Sequence, residues 1–185
     1  MSQLKYILIA FGVFAVDMSM KNTAEAWVNL HEREEGEPPE SKIFVPRKLH
    51  NRGFAMNVAD KHPGKVAKLS LISTILMAIA FILSLKGDRP LRKLSYALQL
   101  GGACSNTHDR LYRGYVVDYL SFKTKGKLGK IAFNIADMAL LFGPLLALVD
   151  SIMKVGEKVD ELTDSVGQPP SDENKYDYEY EYLNI

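Results

Sequence analysis

The sequence predicts an α-helical polytopic membrane protein, with four transmembrane helices and a small extended layer at the membrane surface. Three observations carry that expectation. Apolar stretches long enough to cross a bilayer recur within 185 residues, segments as charged as EREEGEPPESK separate them, and acidic side chains sit inside two of the stretches. The mean hydropathy of -0.07 hides this pattern because it averages two unlike populations. A windowed reading separates them.

The first stretch, residues 4–20 (LKYILIAFGVFAVDMSM), has only Lys5 and Asp17 charged. The second, residues 66–85 (VAKLSLISTILMAIAFILSL), carries Lys68 near its start. The third, residues 94–105 (LSYALQLGGACS), is weakly apolar and reaches a spanning length only if it runs from about residue 91 to 107. The fourth, residues 131–152, holds Asp137 and Asp150. A bilayer core of about 30 Å needs about 20 residues of helix. A soluble protein this small would have to bury three helices apolar on every face, so the membrane reading is preferred. Lys5 and the run behind it could open a cleaved signal peptide. However, DMSMK at residues 17–21 lacks a small-residue cleavage site, and an uncleaved first helix is expected.

Pro38, Pro39, Pro46 and Pro63 interrupt the segment between the first two helices, where KIFVPRKLHNRGFAMNV reads as one or two short strands around a turn. Residues 115–122 (YVVDYLSF) alternate well enough for another. Beyond Gly156, EKVDELTDSVG is expected to prolong helix four as an amphipathic stub. The end, QPPSDENKYDYEYEYLNI, is acidic, tyrosine-rich and poor in aliphatics, hence expected to be disordered. This divides the chain into a membrane domain, 1–155, and a tail, 156–185.

Lys+Arg 23 against Asp+Glu 22 gives a net charge of +1, with no global pull toward nucleic acid. A single cysteine, Cys104, excludes an internal disulfide and a CxxC metal site, and His31, His50, His62 and His108 are scattered. No metal or organic cofactor is expected. Charge leaves the topology open. The link KGDRPLRK packs four basic residues into eight, as cytoplasmic loops do, yet residues 22–65 hold seven Lys/Arg and residues 107–130 hold six.

Ionisable residues within a membrane span are costly, and so point to function. Asp137 is placed six residues into helix four, roughly 9 Å below its start at about 1.5 Å per residue. Asp118 lies in the loop before that helix, so both carboxylates belong to one membrane face. Two carboxylates at one depth can share a proton, one pKa rising while the other stays low, which is the split needed to activate water against an amide. On the residues alone, Asp118 capping a turn and Asp137 bonding a neighbouring helix remain open as well. Asn106 and Asn134 fall near the same helix ends, and Asn134 shares a helical face with Asp137. Gly101, Gly102 and Ala103 permit close helix approach. Asp109 and Arg110 are either an anchoring charge pair or a substrate contact.

GGACSNTHDRLYRGYVVDYLSF followed by AFNIAD resembles the paired signature of the lipoprotein signal peptidases, GGAxGNxxDR with GxVVDF and then AFNxAD. Gly101, Gly102, Ala103, Asn106, Asp109, Arg110, Gly114, Val116, Val117 and Asp118 match, as do Ala132, Phe133, Asn134, Ala136 and Asp137. In the N-terminal half Asp17 and Lys21 match, with Met18 in place of Gln. Asn51, Gly53 and Ala55 of a surface-strand pattern match, and Ser105 stands where Gly is usual. The resemblance covers about residues 1–155. It implies a membrane aspartic peptidase with Asp118 and Asp137 as the catalytic pair. Asn51, Gly53, Asn106, Arg110 and Asn134 would hold the substrate, with Asp17 and Asp109 in support. It also implies cleavage of a prolipoprotein before its diacylglyceryl-modified cysteine, by a monomer in contact with membrane lipid. Both termini would be cytoplasmic and the site near the outer face of the bacterial inner membrane. The rival expectations are a catalytically inactive relative that binds lipoproteins or membrane partners, and a four-helix structural subunit.

Overall fold

The computed structural model describes residues 3–31, 44–54, 59–122 and 131–167. The elements are α1 (Leu4–His31), β1 (Phe44–Asn51), α2 (Pro63–Leu85), α3 (Pro90–Tyr112), β2 (Val116–Phe122), β3 (Ala132–Phe133) and α4 (Ile135–Gly167). Pro63 and Pro90 open α2 and α3, where a missing N–H costs nothing and the fixed φ suits a helix. The end of α3 is set by Gly114 at φ 79°, a left-handed conformation that glycine adopts without penalty. There the N–H groups of Arg113 and Gly114 both turn back to the Asp109 carbonyl, at 2.8 and 3.2 Å.

Among the described residues, two helices are long and apolar enough to cross a membrane. They are α2, with mean hydropathy 2.3, and α4, with 1.8 over Ile135–Ser165. Burial is inverted relative to a water-soluble protein. Phe11, Ile72, Leu76, Ile79, Ile82 and Leu141 are exposed, while Asp17, Lys21, Ser95, Ser105, Asp109 and Asn134 are 0 % exposed. Apolar surface turned outward and polar groups paired inward is what hydrocarbon solvent demands. Packed against both α1 and α2, α3 holds the centre. Ten of its residues are buried and most of them are polar or small, which is why its sequence looks weakly apolar. An apolar cluster of Tyr6, Ala10, Phe81 and Ala97 fills the end away from the sheet.

Two glycines set the helix spacing. A Cβ on Gly101 would lie 2.5 Å from the Ala10 carbonyl oxygen of α1, and one on Gly102 would lie 2.6 Å from the Ala136 carbonyl oxygen of α4. The three strands form an antiparallel sheet in the order β1-β2-β3. Leu49 faces Asp118 and Asn51 faces Val116, while Phe133 and Ala132 pair with Leu120 and Ser121.

The sequence places the start of helix four at residue 131, but α4 begins at Ile135 and Asp137 lies in its first turn. Ala132 and Phe133 are instead a short strand, because the Asn134 side chain caps the helix behind them (Oδ1 accepts from Asp137 N at 2.8 Å). Helix one also runs further than its apolar stretch, to His31. The boundary at 155 falls within α4, and residues 156–167 are helical. The remainder of the tail, 168–185, and the Ala55 position of the strand pattern lie outside the described residues. By compactness the chain divides into Met1–Ala147, which holds the sheet and the packed helices, and Leu148–Ile185.

Candidate active site

The end of α3, the middle of β2 and the start of α4 converge on Asn134. Its N–H and side-chain oxygen form a reciprocal cap with Asp137. Asn134 N donates to Asp137 Oδ2 at 3.2 Å, while Asp137 N donates to Asn134 Oδ1 at 2.8 Å. The same side chain donates through Nδ2 to Asp118 Oδ1 at 2.8 Å. One asparagine therefore holds both acidic residues. Asn106 completes the frame from α3, with Nδ2 donating to Asp137 Oδ1 at 2.8 Å. Both carboxylates line a cavity of about 580 Å³, together with Asn51, Asn106 and Arg110.

The other residues singled out in the sequence fall around this frame. Asn51 ends β1, bonds the Asp118 side chain and accepts from Gly53 N at 3.0 Å. Gly53 offers its carbonyl to Arg110 Nη2 at 3.1 Å, and the guanidinium sits 5.9 Å from the Phe54 ring centroid. Asp109 makes no charge pair with the adjacent Arg110. Neighbours on a helix diverge by about 100°. Its partners are Lys21 at 3.3 Å and Arg113 at 3.3 Å, and it also accepts Val117 N at 3.1 Å, tying β2 to α3.

Asp17 is saturated. Oδ2 takes Lys21 Nζ at 2.8 Å and Ser105 Oγ at 2.6 Å, and Oδ1 takes the Tyr119 hydroxyl at 2.8 Å and Ala136 N at 3.2 Å. Two residues of this network, Lys21 and Tyr119, carry more of the site than the sequence reading assigns them. Lys21 is 0 % exposed. Tyr119 is 4 % exposed, and its oxygen also accepts Ile135 N at 3.1 Å, which fixes the first turn of α4. A signal for Lys21 existed in its i, i+4 spacing from Asp17, both near the end of an apolar run. For Tyr119 there was none, since an inward tyrosine on a strand looks like any other.

Burial, and after it the Asp137 carboxylate, push Asp118 up to about 7, while Lys21 and the Asn51 and Asn134 side chains pull the other way. A carboxyl with such a pKa, beside a second carboxylate on a common cavity, can hold a proton at neutral pH while its partner accepts one. Burial and Asp17 hold the Tyr119 phenol far above its ordinary range, so it remains a donor. Among the described residues no cluster of three or more His, Cys, Asp or Glu could hold a metal.

Residues 9–153 match the family described as signal peptidase (SPase) II. The chain belongs to the signal peptidase II family. It is a membrane aspartic endopeptidase of that type. A lipoprotein signal peptidase of Moorella thermoacetica is 34% identical over 154 residues, covering 83% of this chain and 96% of that protein. One from Francisella tularensis subsp. novicida is 29% identical over 154 residues, covering 81% and 92%. Two solved bacterial membrane enzymes share the fold. One matches with a TM-score of 0.64 at 24% identity over 83% of this chain and 91% of that one, the other with 0.58 at 25% over 78% and 90%.

Proposed function

We propose that this signal peptidase II cuts prolipoproteins on the N-terminal side of the diacylglyceryl-modified cysteine, using Asp118 and Asp137 on a water molecule. The observation that carries the proposal is that Asn134 donates to both carboxylates, through Nδ2 to Asp118 and through its backbone N–H to Asp137, at the edge of one cavity. Near neutral pH the pair shares one proton. Asp137 takes a proton from the water as it attacks the carbonyl carbon, and Asp118 donates to the carbonyl oxygen. Collapse of the tetrahedral intermediate expels the amine, which leaves with a proton from the pair. Arg110, Asn51, Gly53, Asn106 and Asn134 supply donors and acceptors for a substrate backbone that must be unwound to be cut. In hydrocarbon each such backbone group needs a partner.

All four helices cross the bacterial inner membrane in this reading, with α1 and α3 hiding their polar residues against their neighbours. The sheet lies on the outer surface, the site opens near that face and both termini are cytoplasmic. The diacylglyceryl chains then stay in lipid while the peptide bond reaches water. The enzyme works as a monomer without metal, cofactor or nucleic acid. Incubation of the purified chain in detergent with a lipidated prolipoprotein, read by a gel shift, tests the reaction. An unshifted substrate would refute it.

The titration of Asp118 predicts the pH dependence. Its protonated form is required, so kcat should fall as pH rises through about 7. Stability should move in the same direction. A folded-state pKa raised from 3.8 gives a contribution that is full below 3.8 and lost as pH rises to about 7. A kcat profile still rising well above pH 8 would contradict the assignment of the acid.

Residues 156–185 are proposed to be a cytoplasmic appendage that takes no part in catalysis. Truncation after residue 155 should leave cleavage of a model substrate nearly unchanged in detergent. A truncated enzyme that stays folded but loses activity would show that the division is wrong.

A further inference from the structure

Lys21 has no place in the proposed chemistry, yet it is the most enclosed cation in the molecule's described residues, at 0 % exposure. Its ammonium reaches Asp17 Oδ2 at 2.8 Å, Ser105 Oγ at 3.0 Å and Asn106 Oδ1 at 2.8 Å, with Asp109 Oδ2 at 3.3 Å. A helix staple alone would be better made from apolar residues, since burying charge costs more than such a pair returns. What a lysine offers that no apolar residue can is a donor-only group.

We infer that Lys21 is a positioning residue for the Asp118–Asp137 pair, acting by fixing which end of the Asn106 amide faces Asp137. The inference rests on the dyad reading above. An asparagine amide has an oxygen end and a nitrogen end of nearly equal shape, and only its partners decide between them. The ammonium demands the oxygen. With Oδ1 turned to Lys21, Nδ2 is left to donate to Asp137 Oδ1 at 2.8 Å. Asn134 Nδ2, at 3.3 Å from the same oxygen, reinforces that choice. The reverse orientation would set an amide N–H₂ against the ammonium and an amide oxygen against a carboxylate. It would lose all three hydrogen bonds, the one from Asn134 included, and put repulsions in their place. The charges around this relay are Asp17 on α1, Asp109, Arg110 and Arg113 on α3, Asp118 on β2 and Asp137 on α4, with the neutral Tyr119 phenol on Asp17. Among them Lys21 bonds the Asn106 side-chain oxygen, at 2.8 Å, whereas Arg110 Nη1 reaches only the Asn106 backbone carbonyl, at 3.4 Å.

The full chain in detergent, assayed on a lipidated prolipoprotein beside Asp118→Asn, tests this. Lys21→Met should lower kcat by about 100-fold through misplacement of Asp137, with KM unchanged. It should also move the alkaline limb of the kcat profile to higher pH, because a cation that favours ionised Asp118 is gone. Lys21→Met combined with Asp17→Asn removes both members of the ion pair and leaves no unpaired charge from it. It should show the same loss and the same displaced limb, and it is read in place of the single variant if that one does not fold. Ser105→Ala keeps the ammonium on Asn106 and should leave the limb where it is. The inference is overturned by a folded Lys21 variant with unaltered kcat and limb, or by a rise in KM at constant kcat. A limb displaced equally in Ser105→Ala, or failure of both Lys21 variants to fold, overturns it as well by making the network structural only. Full activity in Asp118→Asn would overturn the dyad instead, so the two failures are told apart.

Discussion

Asp118→Asn and Asp137→Asn are each expected to lower cleavage by roughly 10²- to 10⁴-fold, the range that positioned proton transfer contributes. An amide can neither take the water's proton nor return one to the leaving amine. The substitutions keep shape, and the amide oxygen introduced by Asp118→Asn can still accept from Asn134, so the fold should survive. Thermal unfolding near that of the unaltered chain would confirm this, and turnover near the unaltered rate in either variant would refute the assignment.

The second large effect is expected at a residue that touches no substrate. In Gly102→Ala the new Cβ would lie 2.6 Å from the Ala136 carbonyl oxygen and 3.2 Å from Leu140 Cγ. A backbone oxygen cannot swing aside, so the first turn of α4 must move. That turn carries Asp137, and its Ala136 N–H is held by Asp17 at 3.2 Å. Overpacking of this kind costs about 1–3 kcal/mol. A shift of about 1 Å at a catalytic group costs about 100-fold in rate. Gly12→Ala is the internal control, because no atom lies within 4 Å of its added Cβ. Thermal unfolding and kcat measured on both variants check the expectation. Equal behaviour of the two would mean that the α3–α4 approach is not tight.

The same close approach explains what could and could not be read from the sequence. Gly101 and Gly102 announced tight helix packing, and the paired asparagines and aspartates announced a polar cluster near one membrane face. Strand β2 was visible in its alternation. Strand β3 was not, because Ala132 and Phe133 continue an apolar run into α4 without a break in hydropathy. The information lay instead in Asn134 and Asp137, whose spacing is that of a helix cap. Reading it would have placed Asp137 in the first turn. Weak hydropathy in α3 marked a short third helix but concealed its central place, since a helix wrapped by protein needs no lipid-facing stripe. The partners of Lys21 beyond Asp17 were hidden for a related reason. A lysine at the end of an apolar run looks like an interfacial anchor, and only the fold brings Asp109, Ser105 and Asn106 around it. With both carboxylates and their amide partners in place on one cavity, no feature of the site favours an inactive relative.

The most direct test of the account is the mass of the products released from a lipidated prolipoprotein by the purified chain. Cleavage at the single bond preceding the diacylglyceryl-modified cysteine, and none of the unmodified prolipoprotein, is the predicted result. Cleavage at another bond, or equal cleavage of the unmodified substrate, would contradict it.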